Sequence, residues 1–229
     1  VNIIEPYVEV DKFNPDGILR ALEFRGRRCY KSEDKITADS AEKFVRGTIT
    51  RGHESVIEHE KISVNFVIDR GVSHELVRHR LASFSQESTR YCNYGKQDEI
   101  TVIRPFWVDM ENGLAMIKQT PSEKWYLICR NAELAYLQLL KAGWSPQQAR
   151  SVLPNSLKTE VETTFNLREW RHFFKVRAQA AAHPQMQQVA IPLLREFQKL
   201  LPAIFDDINY NLLFPKEHFA DIRFRDVTA

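Results

Sequence analysis

The sequence is poor in the residues that carry most disulfide, metal and dinucleotide chemistry. It has three cysteines, Cys29, Cys92 and Cys129. The count is odd and no pair has C-x-x-C spacing, so neither a disulfide framework nor a zinc knuckle is indicated, and a reducing compartment fits best. Eight glycines are present and none forms G-x-G-x-x-G, which excludes the ordinary dinucleotide turn of a doubly wound fold. H-E-x-x-H is missing. His74 and His79, five apart, would not share a helix face, so His53, His59, His74 and His79 do not read as a metal set. No apolar run approaches the ~20 residues that span a bilayer, and no initial stretch has the charged-then-apolar form of a secretory signal. A cytoplasmic protein with no membrane contact is expected. An excess of one charge is also lacking: 32 basic against 30 acidic residues give +2, without the basic surplus of a general nucleic-acid binder.

What is present is a mixture of helical and strand patterns. Val1 to Val10 reads as a strand, punctuated by Pro15-Asp16-Gly17, and Ile18 to Cys29 as a helix with Leu19, Leu22, Arg25 and Cys29 along one side. Asp39 or Ser40 caps a helix to about Arg51, burying Phe44, Val45 and Ile49. Ile62, Val64, Phe66 and Ile68 alternate with polar residues, broken only by Val67, and predict a half-buried strand that Gly71 ends. Ser73 then caps a helix from His74, with Val72, Leu76 and Val77 as its apolar side. Thr120-Pro121-Ser122-Glu123 is a capping box with proline at the first helical position, opening a helix that Gly143 stops. Ser145-Pro146-Gln147-Gln148 repeats the start signal. Leu157, Thr159, Val161, Thr163 and Phe165 alternate as a strand. Asn166-Leu167-Arg168-Glu169 caps a helix to about Ala182, and a last helix covers Met186 to Leu200. The tail after Pro215 has no clear pattern. Without a regular β-α-β alternation, the expected fold is α+β. It would be a single domain over residues 1–229, with a central, largely antiparallel sheet packed by helices.

The most informative stretch runs from Arg78 to Tyr91. Three arginines, a histidine and three serines fall within fourteen residues. Arginine forks and hydroxyls suit a phosphate or a pyrimidine edge. An isolated Arg-His-Arg would be a solvated helix end favoured by the macrodipole. Here a polar loop follows and closes on Arg90-Tyr91, which a helix end does not require. Cys92 has no positioned base and reads as structural.

Arg78-His79-Arg80, seven intervening residues and then Ser88, extended by Arg90-Tyr91, resembles the signature of the flavin-dependent thymidylate synthases. Three further segments resemble that family in order and spacing: His53-Glu54-Ser55 with Glu58-His59, Arg150 with Leu153-Pro154, and Asn166-Leu167-Arg168 with His172 and Arg177. The resemblance implies that Arg78, His79 and Arg80 contact FAD, with His53, Ser55, Gln86, Asn166, Leu167, Arg168 and His172 completing its site. It implies a dUMP site from Glu75, Leu76, Val77, Arg78, Gln86, Glu87, Ser88, Thr89, Arg90, Arg150 and Arg177, with Arg177 as the catalytic cation and no metal. It further implies NADPH and methylenetetrahydrofolate as co-substrates, and a homotetramer with sites between subunits. Glu75, Ser85, Gln86 and Ala181 depart from residues common in the family. The competing reading is a non-catalytic nucleotide- or RNA-binding module, in which Arg78, Arg80 and Arg90 supply charge while Phe84 and Tyr91 stack on bases. It leaves Arg150 and Arg177 without a role.

Overall fold

The structure, a computed structural model, describes residues 1–109 and 120–227. In chain order the regular elements are β1 (Asn2–Ile4), β2 (Tyr7–Asp11), α1 (Pro15–Arg28), α2 (Ser40–Thr50), β3 (Lys61–Asp69), α3 (Arg70–Leu76), β4 (Ala82–Gln86), β5 (Thr101–Ile103), α4 (Pro121–Lys141), α5 (Pro146–Ala149), β6 (Lys158–Asn166), α6 (Leu167–Arg177), α7 (Pro184–Leu200), α8 (Pro202–Phe205) and β7 (Asp221–Arg225). Among the described residues, no helix is long and apolar enough to cross a membrane.

The fold class is α+β, with a largely antiparallel main sheet. Five strands lie in the order β4-β6-β3-β2-β7. The pairing of β3 with β6 shows its direction. Leu167 N–H donates to Glu60 O at 3.0 Å, the hydroxyls of Ser63 and Thr164 are 2.7 Å apart, and Arg70 N–H donates to Leu157 O at 3.1 Å. One set of numbers rises as the other falls, which is antiparallel register. A separate pair, β1 with β5, is parallel, with Ile3 opposite Val102.

Several expectations need correction. The strand from Val1 to Val10 is two strands in different sheets, parted at Pro6, which has no N–H to give a ladder. Pro15 starts α1 instead of preceding it, because Asn14 caps the helix by accepting from Gly17 N–H at 3.1 Å. The buried side of α1 is Ile18, Leu19, Leu22, Glu23 and Gly26, while Arg25 and Cys29 are exposed. In α2 the buried positions are Ala41, Val45 and Thr48, with Phe44 and Ile49 half-buried. β3 is not half-buried: every residue from Val64 to Asp69 is buried, and Val67 breaks the alternation because both faces are covered. Its end is capped by Asp69, whose side chain accepts from Val72 N–H at 2.7 Å, so α3 begins three residues before Ser73 and ends at Leu76. Ala82–Gln86 is a strand and not a loop. α6 ends at Arg177, short of Ala182. The tail after Pro215 forms β7, where Lys12 N–H donates to Arg225 O at 3.0 Å and the Arg225 guanidinium binds Asp11 at 2.7 Å.

The capping signals hold. Glu123 N–H donates to Thr120 Oγ1 at 3.2 Å and Thr120 N–H to Glu123 Oε2 at 2.8 Å, while Gly143 takes φ +91° just past α4. Ser145 N–H donates to Gln148 Oε1 at 2.9 Å. β6 alternates throughout, burying Thr159, Val161, Thr163 and Phe165.

The chain divides into two compact units, neither continuous in sequence. The first comprises Val1–Tyr7, Phe66–Val77 and Ser85–Val161; the second comprises Val8–Asn65, Arg78–Phe84 and Glu162–Ala229. The first has a core of Ile100, Val102, Cys129, Tyr136, Ala149 and Leu157. Burial pushes the Cys129 thiol up to about 11, which leaves it an inert packing residue. The second is built on aromatics. Phe165 and Trp170 have ring centroids 4.6 Å apart, Trp170 stacks on Phe174 at 5.6 Å, and Phe197 lies 5.3 Å from Phe205. All five are fully buried, at roughly 1.5–3 kcal/mol for each large apolar side chain. Trp170 also donates its indole N–H to Ile62 O at 3.0 Å, fixing α6 on the sheet.

Candidate active site

α6 carries two faces. Leu167, Trp170, Phe173 and Phe174 enter the aromatic core, which leaves Arg168, His172 and Lys175 exposed at i, i+4 and i+7 on the opposite side. Asn166 caps the helix, accepting from Glu169 N–H at 2.8 Å. Exposed Arg168, His172 and Lys175 line a cavity of about 570 Å³ in the second unit, together with Glu54, Glu58, Leu81, Asn166 and Glu169. Leu81 is 74% exposed, an apolar surface at the cavity wall. Arg168 binds Glu58 at 2.5 Å, and Lys175 lies 3.7 Å from Glu54.

Below this face sits a buried polar cluster. His79 Nδ1 is 2.9 Å from Glu169 Oε1, and Arg177 Nε donates to His79 Nε2 at 3.2 Å. The rings of Phe173 and His172 lie 5.2 and 5.5 Å from that of His79. Burial, seconded by the Arg177 charge, holds the His79 pKa below its ordinary value against the opposing pull of Glu169. The ring is therefore neutral at pH 7. The ligand atoms of His79, Glu169 and His172 fall within 4.8 Å of one another, a spacing open to a metal ion. Both His79 nitrogens are already engaged, however, and a guanidinium on Nε2 opposes a second cation. The chemistry of this cluster is hydrogen bonding.

The remaining expected residues of this unit are spread along its surface. His53 precedes the short helical turn Glu54–His59, with Nδ1 3.3 Å from the Tyr30 hydroxyl, and Ser55 is exposed on that turn. Arg78 and Arg80 are exposed and make no ion pair among the described residues. Leu167 is fully buried, so only its backbone is open to a ligand. Arg171 was not singled out from the sequence. Its guanidinium, 2% exposed, binds both Asp207 oxygens at 2.6 and 2.7 Å and Glu54 at 3.1 Å, tying the Glu54–His59 turn to α6. Glu169 and Lys175 were also missed. The Asn-x-x-Glu capping spacing pointed at Glu169 only as a helix start.

The first unit holds the other expected residues. Ser88 O accepts from Tyr91 N–H at 3.1 Å and from Cys92 N–H at 2.9 Å, which turns the chain tightly after Gln86. Arg150 donates to Thr89 Oγ1 at 3.1 Å, and Arg90 lies over the Tyr91 ring at 5.5 Å. Arg90 and Arg150 are exposed and make no ion pair among the described residues. Two cations and two hydroxyls thus gather at one turn, which is the donor set of an anion site. Two neighbours face inward instead. Gln86 Nε2 donates to Ser73 Oγ at 3.0 Å and Thr159 Oγ1 at 3.2 Å, and Glu87 accepts from Tyr94 Oη at 2.8 Å and Lys158 Nζ at 3.0 Å. Both side chains hold the turn's own shape. Leu76 is fully buried, while Glu75, in the last turn of α3, and Val77, just past it, are half-buried.

The profile of the thymidylate synthase complementing protein family matches residues 14–203. The chain belongs to the flavin-dependent thymidylate synthase family. A flavin-dependent thymidylate synthase of Mycobacteroides abscessus is 34% identical over 212 residues, covering 85% of this chain and 81% of that protein. One from Mycobacterium tuberculosis is 33% identical over 208 residues, with 86% and 82% covered. Among solved structures, the flavin-dependent thymidylate synthase from Helicobacter pylori complexed with FAD and dUMP aligns with a TM-score of 0.67 at 25% identity. It covers 87% of this chain and 99% of that one. A UMP/dUMP methylase from Streptomyces cacaoi shares the fold, with a TM-score of 0.71 at 23% identity over 90% and 96% of the two chains.

Proposed function

We propose that this family member methylates dUMP to dTMP, with methylenetetrahydrofolate as one-carbon donor and FAD, reduced by NADPH, as hydride carrier. The observation that carries the reading is the turn at Ser88, where Arg90 and Arg150 stand without acidic partners among the described residues, beside the Ser88 and Thr89 hydroxyls. That is the chemistry of a phosphate monoester dianion, and the Helicobacter relative is complexed with dUMP. Glu75, Leu76, Val77 and Arg78 would complete the nucleotide site.

The cavity beside α6 suits FAD by its donor set. Arg168 and Lys175 offer cations to a pyrophosphate, Glu54 and Glu58 accept from ribose hydroxyls, and Leu81 and His172 offer flat or apolar surface to a ring. Arg78, Arg80, His53, Ser55, Asn166 and the Leu167 backbone would add contacts. When bound, FAD supplies the hydride that reduces the transferred one-carbon unit to methyl.

The chain's own part is position and field. C5 of uracil is a weak nucleophile that strengthens as negative charge spreads over N3 and the adjacent carbonyls. Arg177 meets that charge as a fixed cation, since a guanidinium does not act as a base. No nucleophile from the protein is needed in this scheme. The proposal extends to a cytoplasmic homotetramer in which residues 1–229 form one domain and sites are shared between subunits, without nucleic acid or membrane contact.

The test is spectroscopic. The purified protein, reconstituted with FAD, should show a flavin spectrum that NADPH bleaches anaerobically. The spectrum should recover, with dTMP formed, when methylenetetrahydrofolate and dUMP are added. A protein that binds no FAD after reconstitution would refute the proposal at its cofactor.

A further inference from the structure

Glu169 occupies the third position of α6, where a glutamate ordinarily reaches back to the N–H of the capping residue. Its own N–H does what the motif expects, donating to Asn166 Oδ1 at 2.8 Å. Its carboxylate does not return to the cap. It points at His79 Nδ1, 2.9 Å away, and the residue is 6% exposed. A buried carboxylate is costly unless its partner repays the desolvation, so its place here calls for a function.

The hydrogen-bond directions assign that function. Arg177 Nε–H can only donate, and it points at His79 Nε2 from 3.2 Å. Nε2 must therefore carry the lone pair, which puts the proton of the neutral ring on Nδ1, facing Glu169. An ionised carboxylate only accepts, so Glu169 favours this tautomer and disfavours the other. With the proton on Nε2, two donors would oppose each other and the Nε edge of the guanidinium would lose this acceptor. Protonation of the ring has the same effect. The groups facing the ring are Glu169, Arg177 and His172 from α6, with Phe173 of α6 and Phe165 of β6 packed on it; Arg78 and Arg80 flank it in its own segment and are exposed.

We propose that Glu169 is a positioning residue for Arg177: by holding His79 as the neutral Nδ1–H tautomer, it keeps Nε2 as the acceptor that fixes the Nε edge of the guanidinium. The inference rests on the reading of Arg177 as the cation that meets charge on the pyrimidine. It assigns Glu169 a part in turnover separate from cofactor retention, even though the residue lines the cavity proposed for FAD.

The experiment compares Glu169→Ala and Glu169→Gln with the wild-type holoenzyme in FAD content, KM for dUMP, kcat and its pH profile. By analogy with the outer partners of metal-bound histidines, whose removal costs roughly 10–100-fold, a loss of that order is expected here. Glu169→Ala should lose that much kcat, with FAD content and KM within about twofold of wild type, a split that general structural damage would not give. Glu169→Gln can still accept from Nδ1–H and should keep kcat within about threefold, with the acid limb of its profile moved to lower pH, because the charge that favoured the imidazolium is gone. Should Glu169→Ala not fold, long-range proton–nitrogen NMR of histidine-labelled wild-type protein, assigned with a His79→Gln variant, reads the tautomer directly. Nδ1–H is expected, and Nε2–H overturns the inference. An active wild type with unaffected Glu169→Ala turnover, or FAD lost in step with activity, overturns it as well. A wild type that makes no dTMP overturns instead the reading on which it rests.

Discussion

Replacing Gln86 by glutamate tests whether the turn before Ser88 is held by donors, as the geometry requires. Gln86 Nε2 donates to Ser73 Oγ at 3.0 Å and to Thr159 Oγ1 at 3.2 Å, and both hydroxyl residues are fully buried. Ser73 gives its own proton to Arg70 O at 2.9 Å, so an ionised carboxylate in place of the amide finds a lone pair facing it there, while the Thr159 hydroxyl can turn to donate. One neutral hydrogen bond at about 1 kcal/mol is lost. Partial desolvation of the new charge adds to this, and Arg70, whose guanidinium lies 3.4 Å from Thr159 Oγ1, offsets about 1 kcal/mol of it. A net loss of about 1–2 kcal/mol follows, or roughly 2–8 °C in melting midpoint for a chain of this size. The sign with pH is fixed. A carboxyl disfavoured as an anion has a folded pKa above its unfolded value of about 4.3, so the deficit is absent below that value and appears as pH rises through the folded pKa. Paired thermal melts of wild type and Gln86→Glu from pH 4.5 to 8 make the measurement. Equal midpoints at pH 7.5, or a deficit independent of pH, would refute the donor argument.

Arg150→Ala removes the guanidinium on Thr89. It should raise KM for dUMP roughly tenfold with kcat within about threefold, as expected for a phosphate contact made equally in ground and transition states; an unchanged KM would remove Arg150 from the site. Arg171→Ala should cost about 2–4 kcal/mol by chemical denaturation, below the usual cost of breaking a fully buried pair, because Asp207, 53% exposed, keeps its solvent. The Arg171 guanidinium holds the Asp207 carboxyl below the usual aspartate range, so this contribution is present above about pH 4 and fades as pH falls through the folded pKa; a flat acid limb in wild type would contradict it. His79, held below its ordinary pKa by burial, binds a proton more readily unfolded than folded. Stability should therefore fall as pH drops below about 6.5 toward the folded value, and His79→Gln should flatten that slope; equal slopes would refute it.

The elements legible in the sequence were those written in local chemistry. The capping box at Thr120, the alternation in β6 and the cap at Asn166 each depend on residues within a few positions, and each was readable. The elements misread were those that long-range packing decides. Val67 looks like a fault in an alternating strand until the second covered face of β3 is known, and β7 offers only Ile222 and Phe224 between charged residues, its anchor being Arg225, paired with Asp11 and Glu162 far back in the chain. The site follows the same rule. Spacing exposed the arginines and hydroxyls of the Arg78–Tyr91 stretch, but Glu169 meets His79 across ninety positions and Arg171 meets Asp207 across a segment that contains all of α7.

α6 explains why so many of the expected residues share one element. A helix can offer charged side chains to a ligand only if something else fixes its rotation and depth, because an arginine contributes orientation only as well as its backbone is held. Here the aromatic face does the fixing. Trp170 is bonded to Ile62 and packed between Phe165 and Phe174, so the helix cannot turn about its axis without exposing large apolar rings. Arg168, His172 and Lys175 are then set by helical spacing alone. Arg177 lies in the last turn, where the fraying end of a helix holds a side chain least well. It is also the residue that receives an additional tether, through His79 and Glu169. The extra anchoring thus falls at the position where the helix itself supplies the least, on the residue from which the proposed chemistry asks the most accurate placement.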